Sequence, residues 1–203
     1  MRKLLLILTV VAMFAPVSAK ADILLVVDLS MTNQLTITAT TEAAEISVTG
    51  DDFLAGSYLE NFFVAPNGST AAASFSPAVA GTGNLTVAGE TATNSPGLLR
   101  FGGTDPGLNL FALASDQEAT FTAGETAFTG SATWTLTPDD YASALAGGDQ
   151  VGNIFFPASS VGDISGLTRI GQFSVVTTAV PEPSSLAVIG LLGLVGIARR
   201  RRV

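Results

Sequence analysis

The chain has 203 residues, 47% of them hydrophobic, and a formal net charge of −8. Between Asp22 and Val180 sixteen acidic residues stand against two basic ones, Arg100 and Arg169, a balance of −14 that argues against any nucleic-acid partner. With neither Cys nor His, the chain has no disulfide, no thiol nucleophile, no Cys/His zinc site and no His-dependent triad.

The N-terminus opens with Met1, Arg2 and Lys3, continues in an apolar run over residues 4–14 and passes through small residues to Ala19-Lys20-Ala21. A basic start, an apolar stretch and an A-x-A site are the three parts of a secretory signal peptide. As a helix the apolar run reaches only about 16 Å, too short for a permanent anchor. Residues 1–21 therefore read as a signal peptide. Signal peptidase is the expected partner, cutting after Ala21, or after Ala19 as second choice.

Residues 22–179 form the body, rich in Thr, Ser, Gly and Ala. In residues 128–137 Phe128, Gly130, Ala132, Trp134 and Leu136 alternate with Thr129, Ser131, Thr133, Thr135 and Thr137. Period-two alternation of this kind marks a strand with one buried and one polar face. Leu35, Ile37 and Ala39 alternate with threonines in the same way. Further strands are expected at 23–27, 45–49, 58–64, 85–87, 108–113, 119–123, 153–156 and 170–177. About ten short strands punctuated by turn residues predict an all-β body, an antiparallel β-sandwich or jelly roll.

One short helix is expected after Thr137, which can cap it. Pro138 suits its first position, and Asp139 and Asp140 its positive end. Tyr141 and Leu145 would face inward, and Gly147-Gly148 would end it. The string Ala-Gly-Glu-Thr-Ala occurs at 88–92 and again at 123–127, each time after a β-like run, which suggests two hairpin turns.

The last 24 residues are different in kind. Pro181-Glu182-Pro183 is followed by two serines, an uncharged apolar run over residues 186–198, and Arg199, Arg200, Arg201 and Arg202. Two prolines around a glutamate hold the chain extended and accessible. The apolar run suits a C-terminal transmembrane helix, with Gly190, Gly193 and Gly196 as a small-residue stripe. The four arginines would stay cytoplasmic as a stop signal, leaving the body outside. Residues 184–198 reach only about 22 Å as a helix, short for a bilayer and better suited to a transient signal than to a lasting anchor.

This tail resembles the PEP-CTERM sorting signal of biofilm-forming bacteria. The resemblance covers residues 180–203 alone. It implies recognition of Pro181, Glu182 and Pro183 by exosortase, a membrane-embedded cysteine transpeptidase-like protease, with processing near that motif. It also implies delivery from the inner membrane to the cell surface or the extracellular matrix.

Within the body no catalytic residue, metal site or cofactor is expected. Asp51-Asp52 and Asp139-Asp140 are adjacent pairs, whereas glycosidase carboxylates face each other across a cleft. The first pair would point to opposite faces of a strand, and the second would be solvated helix caps. Asp51, Asp52 and Glu60 lack calcium-loop spacing. A serine nucleophile would need a lysine base, and the body has none. The expectation is a non-enzymatic structural or interaction protein of the cell surface or exopolysaccharide matrix. The alternative is a carbohydrate-binding module for surface polysaccharide, with Tyr58 or Phe62 as a stacking ring and Trp134 in the core.

Overall fold

The computed structural model describes residues 22–53, 56–63, 79–93, 95–100, 107–147, 150–158 and 164–178. The alternating runs become strands: β1 (Ile23–Asp28), β2 (Gln34–Ala39), β3 (Val48–Asp51), β4 (Ser57–Leu59), β5 (Val79–Ala80), β6 (Thr82–Gly83), β7 (Thr86–Val87), β8 (Gly97–Leu99), β9 (Leu108–Phe111), β10 (Glu118–Phe121), β11 (Phe128–Thr129) and β12 (Ser131–Thr135). After them come the helix α1 (Pro138–Leu145), β13 (Val151–Phe156) and β14 (Thr168–Val176).

Ten strands form one sheet in the order β5-β8-β9-β4-β13-β14-β1-β2-β12-β6. Two two-stranded sheets, β10-β3 and β11-β7, account for the other strands among the described residues. The end strands β5 and β6 are separated in the chain by Gly81 alone, so the large sheet curls until it is nearly closed. At this seam the Pro96 carbonyl accepts from the Gly81 N–H at 2.8 Å and from the Trp134 indole N–H at 2.9 Å. The Trp134 ring lies so close to Gly81 that a Cβ there would overlap it.

Curling needs local bends, and two lie side by side. The pairing of β1 with β14 shifts register between Ile23 and Leu25, which turns both Leu24 and Leu25 inward. The pairing of β13 with β14 shifts between Ile154 and Phe155, beside the consecutive buried residues Ile170 and Gly171. Leu24 fills the space left by the missing side chain of Gly171. Bulges of this type raise local twist and bend the sheet.

The core takes the inward residues of the sheet, including Leu25, Val27, Leu35, Ile37, Trp134 and Phe173. Phe121 stands edge-on to Phe128 and to Phe156, with centroids 5.1 and 5.0 Å away. The outward faces carry cross-strand threonine pairs, Thr36 with Thr133 at 2.9 Å and Thr49 with Thr120 at 3.0 Å.

The all-β expectation holds, and the sandwich or jelly roll is met only in that coarse part. The strand order is that of one curled sheet with two small partners, and β1 pairs with β14 in parallel. The run over 128–137 is broken at Gly130 (φ 81°), so that β11 pairs with β7 and β12 with β2. The strand expected over 58–64 stops at Leu59, because Asn61 turns the chain with φ 53°.

The helix forms as expected. The Thr137 hydroxyl accepts from the Asp140 N–H at 3.2 Å and donates to Asp140 Oδ2 at 2.6 Å. Tyr141 and Leu145 pack against the core. Among the described residues no helix is long and apolar enough to cross a membrane. The signal peptide, the Pro-Glu-Pro motif, the apolar run over 186–198 and the arginine cluster lie outside the described residues.

Candidate functional site

The residues with a sequence-level role flank β1 and β14, and the fold places these two strands together. β14 is the longest strand, nine residues, and lies in the sheet interior between β13 and β1. Its inward residues Ile170, Phe173 and Val175 are buried. At its end the Val176 carbonyl accepts from the Leu29 N–H at 2.8 Å, and the Val175 N–H donates to Gln150 O at 2.8 Å. Ordered strand thus continues to within a few residues of Pro181.

β1 runs parallel to β14, with Ile23 in register with Gln172 and Asp28 with Val176. The two flanking segments therefore leave the body at opposite ends of this strand pair. A cut after Ala21 would leave Asp22 alone ahead of β1, and Asp22 is already tied in through its carbonyl, which accepts from the Gln172 N–H at 3.1 Å.

A family model for the PEP-CTERM protein-sorting motif matches residues 179–202. The chain carries a PEP-CTERM sorting tail. The match covers Pro181, Glu182 and Pro183, the apolar run and all four arginines, and begins three positions after Val176. A PEP-CTERM tail implies an exported protein, held transiently in the membrane and processed by an exosortase-type membrane enzyme. No curated protein and no solved structure matches the chain.

The other residues weighed from sequence are not brought together. Asp51 is exposed and its carboxylate accepts from the Phe53 N–H at 2.7 Å. Asp52 points the other way, as expected for neighbours on a strand, and is fully buried. Its Oδ2 accepts from the N–H groups of Leu113 and Ala114 at 2.6 and 2.8 Å, tying the end of β3 to the segment between β9 and β10. Its Oδ1 has no hydrogen-bond partner among the described residues. Burial pushes the Asp52 carboxyl up to about 6; the two N–H donors oppose this rise, and Asp51 and Asp116 add to it. Glu60 accepts from the Asn153 side chain at 2.8 Å on another strand. Among the described residues no three acidic groups converge on a point that could hold a metal.

The rings proposed for sugar stacking are inside. Tyr58 is 2% exposed and Phe62 is fully buried against Phe63 and Phe173. Trp134 is in the core, as expected. Among the described residues the strongly exposed aromatic is Phe53, 47% accessible.

Sequence reading missed the roles of the two body arginines. Arg100 is buried, its guanidinium 4.1 Å from the Phe63 ring centroid. Arg169 meets both Glu45 oxygens, at 3.0 and 2.5 Å, and reaches Asn153 Oδ1 at 3.4 Å. The Glu45 hydrogen bonds raise the Arg169 pKa further above its ordinary value. The scarcity of cations in so acidic a body was the available signal for both.

Proposed function

We propose that the body is a non-enzymatic structural or interaction protein of the bacterial cell surface or exopolysaccharide matrix. On this reading its PEP-CTERM tail holds it at the inner membrane until an exosortase-type enzyme releases or transfers it. The observation that carries the reading is the sorting motif, which begins just beyond the final core strand of an all-β body. The cut would thus remove the tail and leave the sheet whole.

The surroundings of the carboxylates support a non-catalytic body. Asp52 is sealed in a turn and Asp140 is engaged at a helix start. The carbohydrate-binding alternative has lost its two named rings to the core. In a host with an active exosortase, Pro181→Ala with Pro183→Ala should leave the full-length chain in the inner-membrane fraction. Normal delivery of this double variant to the surface would refute the sorting role of the motif.

A further inference from the structure

Four large apolar side chains are exposed among the described residues, and the two most exposed, Met31 at 62% and Val151 at 60%, share one end of the sheet. Met31 sits in the turn between β1 and β2, where its carbonyl accepts from the Gln34 N–H at 3.1 Å. That turn follows Leu29, whose N–H is bonded to Val176 O at the last residue of β14. Val151 starts β13 in register with Ser174. Both side chains therefore flank the point where the chain leaves the body toward its tail.

Residues 177–185 separate Val176 from the apolar run and reach about 30 Å at full extension. β14 itself is about 26 Å long. Bringing the far end of the sheet to the membrane would use nearly all of that reach, whereas the near end can seat with slack. From this geometry we infer that, while the tail is in the membrane, the body stands end-on against the lipid surface with Met31 and Val151 in the interfacial layer. Asp28, Asp139 and Asp140 surround this end, as α1 is tied to it through the Tyr141 hydroxyl, which donates to Leu29 O at 2.6 Å. The attraction is therefore apolar rather than to anionic headgroups.

The inference rests on the sorting-tail reading, and the experiment separates the two. The chain has no cysteine, so single-site labelling is unambiguous. Full-length Met31→Cys, Val151→Cys, Thr41→Cys and Leu192→Cys variants, each carrying an environment-sensitive fluorophore, are reconstituted in two sets of phosphatidylcholine vesicles, one with nitroxide lipid labelled in the headgroup region and one with nitroxide lipid labelled deep in the acyl chain. The expected result is quenching at Leu192 by the acyl-chain nitroxide, roughly twofold or greater quenching at Met31 and Val151 by the headgroup nitroxide, and none at Thr41 by either. Thr41 follows β2 at the opposite end of the sheet and is exposed. Quenching at Leu192 with Met31 and Val151 no more quenched than Thr41 overturns the end-on placement and leaves the sorting reading standing. No quenching at Leu192 overturns the membrane insertion on which both depend.

Discussion

Asp28, the last residue of β1, lies in register with Val176, the last residue of β14. The first and last strands of the body are thus parallel neighbours inside the sheet, and the sheet cannot be completed until the final strand is available. β14 also holds β13 on its other side, so its loss would divide the strand order in two. Because parallel pairing of distant segments closes a long loop, this step should be late in folding.

A chain of residues 22–178 should therefore melt as one cooperative unit, and a chain of residues 22–167 should not fold. Thermal unfolding followed by circular dichroism distinguishes them. A cooperative transition in the shorter chain would show that β14 is dispensable.

Asp52 should make stability fall as pH rises. Its folded carboxyl sits at about 6 against 3.8 for the free group, so the folded state holds the proton more tightly. That contribution is complete below about 3.8 and is lost as pH climbs through about 6, on the order of 2–3 kcal/mol in all. Asp52→Asn, which keeps an acceptor for Leu113 and Ala114 without the charge, should flatten the difference between pH 4 and pH 7. Denaturant unfolding of both proteins at the two pH values checks this. An unchanged difference would place the pH dependence elsewhere.

The seam at Gly81 should tolerate little. Gly81→Ala drives a Cβ into the Trp134 ring and should cost about 1–3 kcal/mol. Trp134→Phe removes the indole donor to Pro96 O and leaves a void, for a loss of about 2–4 kcal/mol. The double variant should lose less than the sum, since the smaller ring makes room for the methyl group. Strict additivity in urea unfolding would argue against direct packing of the two.

The repeated Ala-Gly-Glu-Thr-Ala strings form matching turns. The Glu90 N–H donates to Val87 O and the Glu125 N–H to Thr122 O, both at 3.1 Å, with Gly89 and Gly124 at φ 89° and 80°. A methyl group at either glycine would meet nothing within 4 Å. Gly89→Ala and Gly124→Ala should therefore each cost about 1–2 kcal/mol through backbone conformation alone. Melting temperatures equal to the parent would show that the turns relax freely.

Where side-chain periodicity controls burial, the sequence was readable. Trp134, Leu35 and Ile37 are inside, and Thr137 caps its helix, because alternation and capping are local. Closure of the sheet was not readable, because β5 and β6 are two-residue strands set by Gly81 and Trp134 across the seam. The burial of Asp52, Tyr58 and Phe62 likewise depends on distant partners, Leu113 and Ala114 for the first. For Asp52 the adjacency to Asp51 gave the opposite faces but not the buried partners. The repeated Ala-Gly-Glu-Thr-Ala strings were legible as turns but not as hairpins, because the strands before them pair elsewhere: β7 with β11 and β10 with β3. The tail was legible throughout because its order of proline motif, apolar run and arginines is itself the signal.

The central claim is that residues 180–203 are a sorting signal rather than a permanent part of the protein. Its most direct test is the mass of the mature protein purified from its native host. The account predicts loss of residues 1–21 and of the residues beyond Pro183. A mature chain that still ends at Val203 would contradict it and leave the tail a plain membrane anchor.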